Sequence, residues 1–311
     1  MSNLQRPNQG YDLVGDIHGH AGPLRRLLDE LGYTEVEGIF RHAARKMIFV
    51  GDFIDRGPQQ REVLRIARAM CKAGTARAVL GNHEFNAIGW AAQNEDGHFL
   101  REHSAKNARQ HAEFLLQFGE GSAAHMEAVG WFRSLPIWLD LPGLRVVHAC
   151  WHETSRVALM PFLDERGCIT ETGIRESYRR GTAAHAAVET LLKGPEQRLP
   201  EGIHFFDKDG HKREEVRLRW WDDAATTFRS AALSMDGRED ELPDSALPRD
   251  FRYTGNKPVF FGHYWLQGLP ELTARNAACL DFSVAKNGHL TAYRWSGETD
   301  LLTENLISVA A

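Results

Sequence analysis

Five short apolar runs in this sequence each end at a cluster of Gly, Asp, Asn or His residues. The runs lie at residues 11–14, 47–50, 78–80, 144–147 and 259–261. Runs this short that are apolar on both faces are typical of strands in a sheet that is covered on both sides. The sequence therefore predicts a layered α/β protein in which buried strands lead into polar loops.

Two segments with helical periodicity separate the first three runs. In residues 23–31, apolar side chains recur at offsets of 3, 4 and 7 from Leu24, and Pro23 suits a first helical turn. The second segment opens at Pro58 and has its apolar face at Val63, Ile66, Ala67 and Met70. Right-handed crossovers between parallel strands would place all the polar loops at one edge of the sheet.

The remainder of the chain predicts helices, an insertion and a returning pair of strands. Residues 85–136 are rich in His, Ala, Glu and Leu and predict helices. Residues 152–253 alternate charged stretches with Pro and Gly, and R-L-R-W-W-D-D at residues 217–223 is their most distinctive element. We expect this segment to form a cap inserted into a single domain over residues 1–311. Strand character returns at residues 279–284 and 290–295, which are joined by K-N-G, a good hairpin turn.

Composition excludes several classes of protein. With 42% hydrophobic and 25% charged residues, the chain is neither collagen-like nor disordered. It has no run of about 18 apolar residues, and residues 1–10 lack a secretory apolar stretch, so we expect a cytoplasmic protein without a membrane partner. The four cysteines show no C-x-x-C spacing, which argues against a disulfide framework or a zinc ribbon. A pI near 6.3 argues against binding to nucleic acid by general basicity, although a local groove stays open.

Six residues at the predicted strand ends form a candidate ligand set for metal ions. They are Asp16, His18, Asp52, Asn82, His148 and His263. The set mixes nitrogen and oxygen donors without thiolate, which suits Mn²⁺ first, and Fe or Zn²⁺ as alternatives, rather than Ca²⁺. If Asp52 bridges, two ions about 3.5 to 4 Å apart could align a nucleophilic water against phosphorus. The implied reaction is phosphoester hydrolysis.

Three further residues supply the groups that phosphoryl transfer needs. Arg56 could make bidentate contacts to phosphate oxygens. His83, next to Asn82, could protonate the leaving group or hydrogen-bond the phosphate. Asp55 could orient His83, because a carboxylate on the far imidazole nitrogen fixes the tautomer of the ring.

The ordered motifs G-D-I-H-G-H, G-D-F-I-D-R-G-P, G-N-H-E, V-V-H and G-H resemble those of the calcineurin-like metallophosphoesterases. The resemblance is closest to the phosphoprotein-phosphatase and symmetrical dinucleoside-tetraphosphatase branch. It implies a central β-sandwich flanked by helices, with the site at its upper edge. It also implies that Asp16, His18 and Asp52 bind one metal ion, and that Asp52, Asn82, His148 and His263 bind the other. In the same comparison Arg56, Asn82 and His83 contact the substrate phosphate, and His83 and Asp55 form the catalytic pair.

The sequence departs from the family pattern at three places. Trp265 stands where many members carry a second histidine, in G-H-x-H, that adds a ligand to the first metal ion. Ala149, Cys150 and Trp151 replace the usual glycine pair after the ligand histidine. The second phosphate-binding arginine of phosphoprotein phosphatases follows a tryptophan-aspartate element, and its nearest match here is Arg229.

These observations leave three functions open. The leading interpretation is a metal-dependent phosphatase that hydrolyses phosphoserine or phosphothreonine in proteins, or a small phosphomonoester, by direct attack of a metal-bridging hydroxide. The first alternative is symmetrical hydrolysis of dinucleoside tetraphosphates, which the tail L-D-F-S-V…G-H-L-T-A-Y-R-W allows by its resemblance to that subgroup. The complete G-D-x-x-D-R argues mildly against it, since that subgroup often lacks the second aspartate. The second alternative is a non-catalytic metal-binding docking module.

Overall fold

The computed structural model of the protein describes residues 9–206, 210–233, 235 and 237–311. Most of the N-terminal segment considered above, and part of the expected cap, therefore lie outside the described residues. Within the described residues, no helix is both long enough and apolar enough to cross a membrane.

The described residues form strands and helices in alternation. The strands are β1 (Gly10–Val14), β2 (Thr34–Val36), β3 (Ile39–Arg41), β4 (Arg45–Phe49), β5 (Ala76–Ala78), β6 (Trp138–Asp140), β7 (Arg145–Val147), β8 (Glu196–Arg198), β9 (Phe205–Phe206), β10 (Lys212–Arg213), β11 (Glu215–Leu218), β12 (Ala232–Leu233), β13 (Val259–Phe261), β14 (Ala277–Cys279), β15 (Asp281–Phe282), β16 (His289–Trp295) and β17 (Leu306–Ala310). The helices are α1 (Ala21–Glu30), α2 (Gln60–Lys72), α3 (Asn82–Ala91), α4 (Ala105–Phe118), α5 (Ala123–Phe132), α6 (Glu153–Leu159), α7 (Glu171–Tyr178), α8 (Ala183–Lys193) and α9 (Phe228–Ala231).

Two sheets carry the centre of the fold. The first has the strand order β15-β16-β1-β4-β5, with β17 also paired to β16. The second has the order β14-β13-β7-β6. Strands β1, β4 and β5 run parallel, as do β7, β13 and β14, so their carboxyl ends meet at one edge in each sheet. The predicted convergence of the polar loops is confirmed.

One apolar layer joins the two sheets. A buried cluster combines Leu13 and Ile48 from the first sheet with Val146 and Phe260 from the second. The opposite faces pack against helices, as shown by α2, whose predicted apolar residues are all buried. The structure is therefore the predicted sandwich with flanking helices, and burial of both sheet faces explains why its strands are apolar throughout.

Two strand predictions differ from the structure. The run at residues 78–80 is offset, since β5 covers Ala76–Ala78 and the amide of Leu80 instead donates to the carbonyl of Pro136 at 2.8 Å. Residues 279–284 are not one strand, because the chain changes sheets at Leu280. Its first part, β14, pairs with β13, and its second part, β15, pairs with β16. Local apolar character could not reveal a change of partner.

Candidate active site

The six candidate ligands lie together at the carboxyl ends of strands from both sheets. Each follows a strand or begins the helix after it, and the least buried of them is 8% exposed: Asp16, His18, Asp52, Asn82, His148 and His263. Parallel strands bring these loops together although the residues are far apart in sequence. The structure therefore groups the residues that the motifs singled out.

Asp52 lies between two histidine clusters. Its Oδ2 atom is 3.6 Å from Nε2 of His18 and 3.9 Å from Nε2 of His83, and its Oδ1 atom is 3.4 Å from Nε2 of His148. Nitrogen and oxygen atoms of His18, Asp52 and His83 form one group that could hold a metal ion, and those of Asp52, His148 and His263 form another. Asp52 is shared by both groups, as a bridging ligand would be.

Three of the candidate ligands carry buried polar atoms without a hydrogen-bond partner among the described residues. These atoms are Oδ1 of Asp16, Nε2 of His18 and Nε2 of His263. A buried polar atom left unpaired costs about 1–3 kcal/mol. The atoms belong to donor types that bind Mn²⁺, Fe and Zn²⁺ well, so the site fits metal ions.

Asn82 connects the second cluster. Its Oδ1 atom accepts hydrogen bonds from Nε2 of His148 at 2.9 Å and from Nδ1 of His263 at 2.8 Å. The other ring nitrogen of His148 donates to the carbonyl of Val50 at 2.8 Å, which fixes the orientation of that imidazole. The amide oxygen of Asn82 thus lies where both imidazoles converge.

Burial and negative charge have opposite effects on the pKa values of the site histidines. Burial lowers the pKa of His18 to about 3, so its ring is neutral as a ligand must be. Burial opposes a proton on His148 as well. There, however, the charge of Asp52 and the contact with its carboxylate outweigh burial, and the pKa of the ring is raised to about 10. Burial, followed by the charge of Asp281, raises the pKa of Asp16. The charge that holds a proton on His148 is the charge that would attract a cation.

Asp55 and His83 form the predicted pair. Nδ1 of His83 donates to Oδ2 of Asp55 at 2.5 Å. Burial opposes a charge on His83, but Asp52 and the hydrogen bond to Asp55 outweigh it and raise the pKa of the ring. A second histidine, His111, donates from Nδ1 to the other oxygen of Asp55 at 2.8 Å. His111 lies outside all of the sequence motifs, so the motifs alone do not single it out.

Arg56 is exposed beside this centre and stacks on an aromatic ring. Its guanidinium carbon lies 4.0 Å from the centre of the Trp265 ring. The same ring stacks on His18 with 5.3 Å between centres. The exposed guanidinium of Arg56 can therefore contact a substrate phosphate while its cation–π contact with Trp265 holds it in place.

The structure does not bring Arg229 into contact with these residues. Nε of Arg229 donates to the carbonyl of Leu242 at 3.2 Å and lies 3.7 Å from a carboxylate oxygen of Asp240. Arg217, the first residue of the R-L-R-W-W-D-D element, has its guanidinium 3.3 Å from a carboxylate oxygen of Glu196, and its charge acts on His263. After burial, it is the largest cause that lowers the pKa of His263. The R-L-R-W-W-D-D pattern alone indicates no role for Arg217.

Trp151, the bulkiest of the residues after His148, contacts side chains outside the ligand set. The indole Nε1 of Trp151 donates to Glu153 at 2.9 Å, and its ring stacks under Arg145 and Arg156. Cys150 is fully buried. Burial holds the pKa of its thiol well above the usual value, which favours packing over redox chemistry.

Glu84 organises the backbone of the ligand loops. Its two carboxylate oxygens accept hydrogen bonds from four backbone amides, with donor–acceptor distances of 2.8 to 3.3 Å: those of Asp52, Phe53, Ile54 and Gly81. Burial raises the pKa of Glu84 to about 7. Sequence reasoning assigned Glu84 no role, although a glutamate at the third position of a helix is a capping signal.

The backbone around the ligands is tightly folded. Of the nine described non-glycine residues with positive φ, six belong to the site or adjoin it: His18, Asp52, Asp55, Arg56, His263 and Trp265. Non-glycine residues rarely adopt a positive φ, and such backbone strain is concentrated at functional sites. A Cβ atom on Gly81 would lie 2.3 Å from the amide nitrogen of Asp52, so only glycine allows the two loops to approach.

These features together describe phosphoryl-transfer chemistry. Metal ions in such a site act as Lewis acids on a phosphoryl oxygen. Arg56 offers a bidentate contact to phosphate. Nε2 of His83 faces the shared carboxylate of Asp52, and its other nitrogen is held by Asp55, so the ring is oriented to transfer a proton.

Comparison with known proteins agrees with this chemistry. The calcineurin-like phosphoesterase family model matches residues 12–180. The protein named symmetrical bis(5'-nucleosyl)-tetraphosphatase of Ralstonia nicotianae is 38% identical over 295 residues, which cover 90% of this chain and 87% of that protein. The protein named asymmetrical bis(5'-nucleosyl)-tetraphosphatase PrpE of Halalkalibacterium halodurans is 45% identical over 74 residues. That match covers only 24% of this chain and 30% of the relative, less than two thirds of its length.

A solved structure shows the same fold. The protein serine/threonine phosphatase from Saccharomyces cerevisiae with similarity to human PP5 aligns with a TM-score of 0.51 at 14% identity. The alignment covers 99% of this chain and 81% of that one. The predicted family and fold are confirmed, and both favour a hydrolase of phosphoester bonds over a docking module. This chain belongs to the calcineurin-like phosphoesterase family.

Proposed function

We propose that the protein hydrolyses dinucleoside tetraphosphates symmetrically, by attack of water within the tetraphosphate chain. The observation that carries the reaction type is the pair of buried clusters that share Asp52, next to the His83–Asp55 pair. The substrate class is supported by the relative of Ralstonia nicotianae, whose match extends over nearly the whole of both chains. The match to PrpE, named asymmetrical, is confined to 74 residues and gives less support for the other cleavage position.

The residues take the following proposed roles. Asp16, His18 and Asp52 hold one metal ion, and Asp52, Asn82, His148 and His263 hold the other, with Mn²⁺ as the preferred ion. Arg56 binds a phosphate of the substrate, together with Asn82 and His83. His83 then gives a proton to the leaving phosphate, with Asp55 holding its other nitrogen. Arg229 takes no role in this proposal, because its guanidinium is engaged by Leu242 and Asp240.

We further propose that residues 1–311 act as one domain with residues 152–253 as its cap. Contacts from this segment support the proposal. The hydroxyl of Tyr178 donates to the carbonyl of Phe85 at 2.8 Å, in the first turn of α3, which also carries His83. The indole of Trp220 donates to the carbonyl of Ala149 at 3.0 Å, directly after the ligand His148. The segment is therefore built against two of the ligand loops.

A second candidate function is hydrolysis of phosphomonoesters in proteins or small molecules. The specific observation in its favour is the intact Asp55, which lies 2.5 Å from His83. Asp55 is the second aspartate of the G-D-x-x-D-R motif, which the symmetrical tetraphosphatase subgroup often lacks. A protonated His83 would favour esters of poorly acidic alcohols, which need an acid more than a phosphate leaving group does.

Product analysis separates these functions. Purified protein with added Mn²⁺ is offered diadenosine tetraphosphate, a phosphopeptide panel, 4-nitrophenyl phosphate and a 3′-phosphorylated oligonucleotide. Symmetrical cleavage yields ADP alone, whereas asymmetrical cleavage yields ATP and AMP in equal amounts. A preference of about 100-fold in kcat/KM, or about 2.7 kcal/mol in transition-state binding, assigns the class. The Asp52→Asn variant, purified in the same way, is the control. Any activity that it retains does not come from this site.

A further inference from the structure

The carboxylate of Asp55 is held between two buried histidines. Oδ2 accepts a hydrogen bond from Nδ1 of His83 at 2.5 Å, and Oδ1 accepts one from Nδ1 of His111 at 2.8 Å. Asp55 is 2% exposed and His111 is 4% exposed. Each oxygen of the carboxylate therefore has its own imidazole donor in a site largely closed to water.

His111 reaches Asp55 from a distant part of the chain. It lies in α4, 56 residues after Asp55, with its ring packed against Phe114 at 4.9 Å and Trp90 at 5.7 Å between ring centres. Its Nε2 atom is buried and has no hydrogen-bond partner among the described residues. The hydrogen bond to Asp55 is thus the polar contact that compensates for burying this imidazole.

Two donors restrict a carboxylate more than one donor does. With a single partner, the Asp55 side chain could rotate about its last bond and still keep that hydrogen bond, since this torsion is broad. With both oxygens engaged, the plane of the carboxylate is fixed, and so is the direction from which Oδ2 meets His83. The two hydrogen bonds, acting against burial, also hold the pKa of Asp55 well below its usual range, so the acceptor stays ionised.

We propose that His111 is a positioning residue for the general acid His83. By donating to Oδ1 of Asp55, it fixes the carboxylate that orients the His83 ring, and so keeps Nε2 of His83 directed at the centre where Asp52 lies. Among the described residues, the hydrogen-bond partner of His111 is Asp55, which is neither a candidate metal ligand nor the arginine proposed to bind phosphate. The inference rests on the role proposed above for His83 as a proton donor.

A matched set of variants tests this role against simple packing. His111→Asn places an amide N–H near the position of the Nδ1 donor, whereas His111→Phe keeps an aromatic ring and removes the donor. A positioning role predicts that the Phe variant loses about 10- to 100-fold in kcat on phenyl phosphate, the usual loss for a supporting hydrogen bond, while Asn retains most of the activity. A packing role predicts the reverse order, since Phe fills an apolar pocket better than Asn.

The leaving group supplies a readout that packing would not move. Nitrophenolate leaves without help from an acid, so His111→Phe should lose much less on 4-nitrophenyl phosphate than on phenyl phosphate. In the Asp55→Asn background, His111→Phe should add little further loss, because the two residues act through one contact. Bound metal and the urea midpoint are measured for each variant, and His111→Leu serves as the donorless variant if Phe does not fold.

His83→Asn, measured in parallel, separates the possible failures. The loss in His83→Asn is expected to be larger on phenyl phosphate than on 4-nitrophenyl phosphate. If His83→Asn shows this difference and His111→Phe does not, the positioning role is overturned and the role of His83 stands. Equal losses of His111→Phe on both substrates, or full additivity with Asp55→Asn, also overturn it. If His83→Asn itself shows no dependence on the leaving group, the acid role of His83 fails, and the positioning role fails with it.

Discussion

The guanidinium carbon of Arg56 lies 4.0 Å from the centre of the Trp265 ring. Trp265 occupies the position where many family members have a further metal-binding histidine, and its amide donates to Oδ2 of the buried Asp281 at 2.7 Å. The ring is therefore held in place, with His18 stacked on it. A position that could have served a metal ion instead supports the arginine expected to bind phosphate.

Replacing Trp265 by Leu should weaken substrate binding through Arg56. A cation–π contact contributes about 0.5–2 kcal/mol, so we expect KM to rise by about 2- to 30-fold. Trp265→Phe keeps a ring under the guanidinium and should lie closer to the wild type. Steady-state kinetics on diadenosine tetraphosphate and 4-nitrophenyl phosphate measure this. An unchanged KM in the Leu variant would show that Arg56 does not depend on the ring.

Replacing Asp52 by Asn should remove the ligand shared by both clusters. We expect loss of nearly all activity together with a fall in bound metal, because an amide is a poor substitute for a bridging carboxylate. Elemental analysis of the purified variant measures the metal. The control is Asp55→Asn, which changes a nearby carboxylate that is not a proposed ligand and should keep the metal. Two ions per chain and more than about a tenth of wild-type kcat in Asp52→Asn would contradict a bridging role.

Brief treatment with a chelator should remove one ion before the other. The first proposed ion has Asp16, His18 and Asp52 as protein ligands, and Trp265 offers no imidazole, so fewer donors hold it than hold the second ion. Fewer ligands mean weaker retention, and activity should fall on chelation and recover on adding Mn²⁺. Metal content after gel filtration is compared with turnover at each stage. Full activity with both ions still bound after exhaustive chelation would mean that another residue completes the site.

Replacing Glu84 by Ala should destabilise the ligand loops. Four backbone amides would lose their acceptor, and one such buried donor left unpaired costs about 1–3 kcal/mol. We therefore expect a loss of at least about 3 kcal/mol in the free energy of unfolding, measured by urea denaturation, together with weaker metal binding. Glu84→Gln keeps one oxygen acceptor and should lose less. Equal stability of the Ala variant and the wild type would exclude this role.

An ion-pair network away from the site should give a pH-dependent contribution to stability. Hydrogen bonds from Arg65 and Arg25 lower the pKa of Glu62 to about 2 and connect α1 with α2. A lowered folded-state pKa means that the stabilisation is complete above the ordinary value near 4.5 and is lost as the pH falls toward 2. Glu62→Gln should cost about 0.5–1 kcal/mol at pH 7, the size of exposed pairs, with unchanged activity.

Urea denaturation at pH 7 and pH 3 measures this effect. The difference between the wild type and Glu62→Gln should shrink at pH 3, where the wild-type carboxyl begins to take up protons. Glu127→Gln, which removes a single pair with Arg68 at the edge of α2, is the control. A difference that stays constant between the two pH values would show that the charge of Glu62 does not contribute.

Much of the fold followed from local patterns. The strand at residues 259–261 and the apolar faces of α1 and α2 were predicted because a continuous apolar run and helical periodicity are properties of neighbouring residues. The strand break at Leu280 was missed, because the choice between two sheets depends on Phe261, whose carbonyl accepts the Leu280 amide at 2.7 Å. The local sequence does not indicate which distant strand a residue will pair with.

The sequence by itself determined the family and the candidate ligands, since each ligand lies in a short motif next to its strand. Only the tertiary structure decided which residues support them. His111 meets Asp55 across 56 residues, Trp265 meets Arg56 from the second sheet, and the charge of Arg217 reaches His263 from the 152–253 segment. These roles arise from burial and long-range contact rather than from residue type. A histidine, a tryptophan or an arginine outside a motif acquires its function only from what the fold places beside it.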